Sequence, residues 1–179
     1  MHESIKIKVL REAGQVMRGH AKQLHREYSV GIHTYNMLGL LEVLHPDPSL
    51  RLYRAILWHD VPERFTGDIP TPVKKLVPEI KEGLKTLEQK MLKELGGEVP
   101  LSGDEGCWLK AIDMLELWLW CREEMAMGNK AVDDMYRECT SILDALDLPE
   151  PALNFLHRQR CSVHTFLSDI PGKVFDEIQ

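Results

Sequence analysis

With 179 residues the chain is the length of one domain with room for a full core, and a single domain over residues 1–179 is expected. A net charge of −6 argues against a nucleic-acid polymer as partner, since that needs a basic face, but leaves room for a local basic pocket holding a small anion. No apolar run approaches the roughly 20 residues of a membrane span, and Ile5–Leu10 is interrupted by lysines, unlike a signal peptide. Cys107, Cys121, Cys139 and Cys161 are scattered without zinc-ribbon spacing. The chain therefore reads as cytoplasmic, with reduced thiols and no membrane partner.

Apolar positions at Ile5, Ile7, Val9, Leu10, Ala13, Val16 and Met17 predict a first helix from Glu3 to about Arg18. A polar, basic loop follows to about Gly31. His33 to Leu44 repeats the helical rhythm and ends at His45-Pro46-Asp47-Pro48. Ser49 is a candidate cap for a third helix running to His59. Pro62, Pro70 and Pro72 break the next stretch, so residues 61–71 should be turns or a short helix. A long amphipathic helix is expected from Val73 to Leu95, bent at Pro78 and stopped by Gly96-Gly97. Asp104 to about Met127, Lys130–Leu146 and Pro151–Leu167 complete the set. The expectation is an all-α fold, a single irregular bundle of six to seven helices.

Four side chains on these helices have the chemistry of metal ligands. His33 shares a helix face with Met37, Leu40, Leu41 and Leu44, and His59 continues the face of Leu52, Ala55 and Ile56. Asp60 follows directly, and Asp113 lies between Leu109 and Leu117. A lone inward histidine is more often a hydrogen-bonded core residue, and a lone inward aspartate more often a cap or salt-bridge member. One divalent ion meets all four groups at once, whereas hydrogen bonding meets them one at a time.

The same order, His33, His59-Asp60, Asp113, resembles the signature of the HD-domain phosphohydrolase superfamily. The run from Trp58 through Glu63, Thr66-Gly67-Asp68 and Pro70-Thr71-Pro72-Val73-Lys74 is similar to a block of the bacterial deoxyribonucleoside 5′-monophosphatases. Lys110-Ala111-Ile112-Asp113 with Cys121-Arg122-Glu123-Glu124 and Gly128-Asn129 is similar to their second block. Arg18 matches an arginine of that family, one shared with compact phage dATP triphosphohydrolases. The similarity runs from about residue 15 to about residue 130. It implies an HD-type helical bundle and an enzyme active in the cytoplasm, or in the host cytoplasm if phage-encoded.

The resemblance assigns His33, His59, Asp60 and Asp113 to one ion. Two imidazoles and two carboxylates suit Co²⁺, Mn²⁺, Fe²⁺, Ni²⁺ or Zn²⁺, with Mg²⁺ as a companion of the nucleotide phosphates. It makes Glu63 the general base or acid, has Asp68 position the water or leaving oxygen, and gives Arg18 and Lys74 to the phosphate. Two departures stand out. Gly19 follows Arg18 where the monophosphatases carry a tryptophan against the sugar, so discrimination against ribose has to come from another side chain, with Trp58 and Ile32 as candidates and His20 adjacent. Ile32 replaces a glutamate before the first ligand.

A deoxynucleotide is the expected substrate. Lys22, His25, Arg26 and Lys75 surround Arg18, His20 and Lys74 with positive charge, which tilts the expectation toward a triphosphate: a dNTP triphosphohydrolase acting on dATP, releasing deoxynucleoside and triphosphate. The alternatives are a 5′-deoxynucleotidase acting on the monophosphate, an alarmone hydrolase, against which Arg64 counts, and a degenerate HD nucleotide-binding module. A homo-oligomer is expected from the resemblance.

Overall fold

The structure is a computed structural model and describes residues 2–161. Nine α-helices are formed among them: α1 (Glu3–Ala13), α2 (Val30–Leu44), α3 (Leu50–Trp58), α4 (Glu63–Thr66), α5 (Thr71–Leu76), α6 (Pro78–Leu95), α7 (Gly103–Ala126), α8 (Asp133–Ala145) and α9 (Glu150–Cys161). A short 3₁₀ turn, Lys130–Val132, leads into α8. The only strand-like feature among the described residues is one antiparallel bridge between Met17 and Ser29. The all-α expectation therefore holds. The part of the last helix predicted beyond Cys161 lies outside the described residues.

The central element is α7, against which α2, α3, α8 and α9 all pack. Its start is fixed by a reciprocal cap: the Ser102 hydroxyl accepts from the Glu105 N–H while the Glu105 carboxylate accepts from the Ser102 N–H. It is apolar around most of its circumference, as a helix enclosed by others must be. Trp108, Ile112, Leu115, Trp118 and Leu119 join Met37, Leu41, Leu52, Ile56, Leu143 and Leu156 in the main core. Trp120 stacks on Tyr28 at 4.3 Å, so all three tryptophans of α7 are core residues. A second, smaller cluster of Val9, Ala13, Trp58, Val61 and Leu95 ties α1 and the end of α6 to the end of α3.

Two boundaries differ from expectation for identifiable reasons. The first helix stops at Ala13, five residues early, because the backbone beyond it pairs with the start of α2 instead. Gly31 N donates to Gly14 O (3.1 Å), Val30 N to Val16 O (2.9 Å) and Arg18 N to Tyr28 O (2.7 Å). Gly31 is required there: a Cβ would sit 2.9 Å from the Gly14 carbonyl oxygen. The long helix predicted from Val73 is two helices, α5 and α6, parted at Val77 (φ −132°, ψ 89°). Val77 precedes Pro78, whose ring excludes the helical conformation from its neighbour. Gly96, at φ 67°, then ends α6 in the left-handed conformation that glycine adopts without penalty.

Candidate active site

Three backbone devices deliver the site residues to one end of the bundle. Ser49 caps α3 by accepting from Leu52 N, and the helix ends at Trp58, leaving His59 as its C-cap and Asp60 one residue further. Pro62 then opens the single turn α4, with Glu63 as its first residue. From the other side, Ser29 caps α2 and sets His33 on its first inward turn.

The structure brings His33, His59 and Asp60 together, with one donor atom from each lying within 4.8 Å of the others. His59 Nε2 is 3.1 Å from Asp60 Oδ2 and 3.4 Å from His33 Nε2, and His33 Nε2 is 3.7 Å from the same carboxylate oxygen. Asp113 comes in through His33, its Oδ1 3.1 Å from Nε2. Each imidazole has its second nitrogen engaged elsewhere: His59 Nδ1–H donates to Ile56 O (2.6 Å) and His33 Nδ1–H to Glu116. Both Nε2 atoms therefore converge on each other and on a carboxylate, a donor set that one divalent cation would hold together and that otherwise needs protons on the rings.

The spacing also fits a cation. Donors at about 2.0–2.2 Å from one ion stand roughly 2.9–3.5 Å apart in tetrahedral or octahedral geometry, close to the 3.1–3.7 Å separations here.

Electrostatics around this cluster are strong. Burial opposes charge on His59, but Asp60 outweighs it and pushes the pKa up to about 9. His33 is also raised, against burial and Arg18, by its bonds to Asp113 and Glu116. Burial disfavours the Asp60 charge as well, yet His59 and Arg18 hold that carboxylate well below its ordinary range. Arg18 donates to Asp60 and stands 4.0 Å from Glu63. Burial, then the Asp60 charge, pushes Glu63 up to about 8, with Arg18 and Lys74 pulling the other way. Glu63 Oε2 is buried with no hydrogen-bond partner among the described residues, so one oxygen of this carboxyl is unused.

A cleft of about 210 Å³ opens beside Arg18, lined by Gly19, Tyr28, Asp68, Pro70–Pro72, Leu117 and Met135. Larger hollows of about 390, 430 and 450 Å³ lie elsewhere and include neither Arg18 nor Asp68. Asp68 Oδ2 accepts from Gly19 N (2.8 Å), fastening the residue after Arg18 to the chain segment after α4. Lys74 makes no ion pair among the described residues, and its charge is felt at Glu63 and Glu88.

Other predicted groups stand apart from this cluster. His20 is exposed and does not line the cleft. Neither Trp58 nor Ile32 stands at Gly19: Trp58 is buried against Gly97, and Ile32 is 39% exposed. The side chains beside Gly19 are Leu24 and Met135, and Gly19 itself has φ 60°, which suits glycine. The expected cationic cluster is largely neutralised. Lys22 pairs with Asp134 (2.8 Å), Lys75 with Glu138 (2.6 Å), and Arg26 with Glu123 (2.6 Å) and Glu124 (3.0 Å).

Tyr28 and Glu116 lay outside the expected set, and both reach His33. A glutamate flanked on its own helix by Ile112 at i−4 and Trp120 at i+4 is the sequence signal that points to Glu116.

Comparison with known proteins places the chain in a family. The model of the family described as 5′-deoxynucleotidase YfbR-like matches residues 33–159, beginning at the first histidine of the cluster, so Arg18 and Gly19 precede the match. A 5′-deoxynucleotidase of Vibrio atlanticus (strain LGP32) is 31% identical over 109 residues, 52% of this chain and 56% of that protein. The chain thus spans about half the length of the curated relatives it matches. An HD-domain phosphohydrolase from Listeria innocua superposes with TM-score 0.63 at 25% identity, over 95% of this chain and 88% of that one. The cyanophage S-2L HD phosphohydrolase DatZ, bound to dA and one catalytic Zn²⁺ ion, superposes with TM-score 0.69 over 89% of this chain and 94% of its own, and at 20% identity that likeness carries the fold alone. With the family model covering well over half of its length, the chain belongs to the 5′-deoxynucleotidase YfbR-like family.

Proposed function

We propose that the protein is a metal-dependent phosphohydrolase that removes the 5′-phosphate from a deoxyribonucleoside monophosphate. The observation that carries the reading is the convergence of His33 Nε2, His59 Nε2 and Asp60 Oδ2 on one point beside Arg18 and Glu63. His33, His59 and Asp60 would hold the ion, with Asp113 reaching it alongside His33. A bound divalent metal supplies Lewis acidity and a more acidic water.

The remaining roles belong to the chain. Arg18 and Lys74 bind the phosphate oxygens, and charge developing on them is met by cations already in place. Glu63, beside Arg18 and with one oxygen free of hydrogen bonds, accepts the proton of the attacking water and can return one to the departing 5′-oxygen. Asp68 keeps Gly19, and with it Arg18, against the cleft. The cleft takes the nucleoside.

The monophosphate is favoured because Lys22, Arg26 and Lys75 are already paired, leaving few cations for a longer phosphate chain. The dATP triphosphohydrolase reading is second. It draws on the fold shared with the cyanophage enzyme, which superposes with TM-score 0.69. Incubating the Co²⁺-loaded protein separately with dAMP and dATP, and separating products by anion exchange, tests both. Orthophosphate from dAMP is expected. Triphosphate from dATP with dAMP untouched would replace the first reading by the second, and no product from either sinks both.

A further inference from the structure

Glu116 is 2% exposed, deep in α7, yet its carboxylate gathers donors from two other elements. The Tyr28 hydroxyl, from the loop before α2, and His33 Nδ1–H both donate to Oε2. Asn36 Nδ2, one turn along α2 from His33, donates to Oε1 at 2.9 Å. A carboxylate this deep is tolerated only when its oxygens are met, and these donors meet both of them.

The arrangement has a chemical consequence. A neutral imidazole carries one N–H. With that N–H on Nδ1 and committed to Glu116, the Nε2 lone pair has to face His59 and Asp60. The negative charge behind the ring also raises the donor strength of Nε2. The same carboxylate fixes Tyr28, whose ring lies 5.5 Å from the Arg18 guanidinium carbon and whose carbonyl accepts from Arg18 N.

We infer that Glu116 is the positioning residue of the site: it holds His33 in the tautomer that presents Nε2 to a divalent metal, and it anchors the tyrosine beneath Arg18. The inference rests on the metal-binding reading given above. A carboxylate that merely filled the core would change stability without choosing which nitrogen meets the ion.

Two measurements on the full chain test it, neither needing substrate. Long-range ¹H–¹⁵N spectra of the wild-type imidazoles, at alkaline pH without metal and again with one equivalent of Zn²⁺, read the tautomer directly. The expected result is a protonated His33 Nδ1 in both, with Zn²⁺ shifting Nε2. Protonated Nε2, or Zn²⁺ on Nδ1, overturns the inference. Co²⁺ affinity, followed by visible absorption, should fall about 10- to 100-fold in Glu116→Gln. In Asn36→Ala, which loses a bond to the other oxygen only, it should stay at the wild-type value. A folded Glu116→Gln protein with wild-type Co²⁺ affinity also overturns it. If that variant does not fold, the wild-type spectra decide. A wild type that binds neither ion sinks the proposed function, while the metal-free tautomer still decides the role of Glu116.

Discussion

Gly97→Ala should destabilise the protein while the same change at Gly39 stabilises it. A Cβ on Gly97 would fall 2.2, 2.4 and 2.9 Å from three atoms of the Trp58 indole. Ordinary contact begins at 3.4 Å, so the ring must retreat by more than an ångström. It has little freedom to do so, being buried among Val9, Ala13, Val61 and Leu95. Gly97 is also pinned, its N–H donating to Leu92 O at 2.8 Å. Overpacking of this kind costs about 1–3 kcal/mol. For a chain of this length each kcal/mol moves Tm by roughly 2–4 °C, so a fall of about 2–12 °C is expected. Gly39 lies within α2, and a Cβ added there would meet nothing inside 4 Å, so alanine should add about 0.5–1 kcal/mol. Thermal melts followed by circular dichroism on both variants provide the test. A Gly97→Ala protein melting at or above the wild type would refute the packing argument. Equal losses in both variants would do the same.

Glu124→Ala should cost about 1–3 kcal/mol, read as a lowered urea midpoint, because the His25 N–H and the Asn129 amide lose their acceptor. The lower end of the range for a broken buried pair applies because Arg26 is 38% exposed and can turn to water. Ser49→Ala should cost about 1–2 kcal/mol in the same assay, since its hydroxyl caps α3 and donates to Glu105 at 2.7 Å. Bonds from Ser49, the Ser102 N–H and Arg51 lower the Glu105 pKa from 4.5 to about 2. A depressed carboxylate stabilises the fold fully above its unfolded pKa and ceases to as pH falls through the folded one. Wild type should therefore lose stability between about pH 5 and pH 2, and Glu105→Gln should lose less over that window in an acid titration. His59→Ala should abolish tight Co²⁺ binding in equilibrium dialysis, and unchanged binding would remove the cluster from consideration.

The helices were legible wherever the determinants are local. Ser49, Pro62, Gly96 and the apolar stripes of α2, α3 and α7 act within a turn or two, so element type and most boundaries followed from them. The end of α1 was not legible, because Val16 and Met17 keep a helical pattern while their backbone pairs with residues 29–30. In the site, His33, His59 and Asp60 could be read from ligand chemistry on inward faces. The cationic cluster misled because sequence displays charges without their partners. Lys22 and Lys75 find Asp134 and Glu138 on α8, far along the chain. Tyr28 and Glu116 escaped for the same reason: they lie 88 residues apart and meet only once the loop closes over α7.

That loop, residues 14–29, bears on how tightly an anion can be held. Arg18 is not on a helix, yet its backbone is bonded to Tyr28 and its neighbour Gly19 to Asp68, while the far side of the loop is gripped by Glu124 through His25 and Arg26. The entropy of ordering this segment is therefore surrendered when the chain folds, not when a ligand arrives. A loose loop would deduct that cost from every binding event. Here the guanidinium meets an incoming phosphate already immobilised, so ordering it takes nothing from affinity, and what binding has to share is its bond to Asp60.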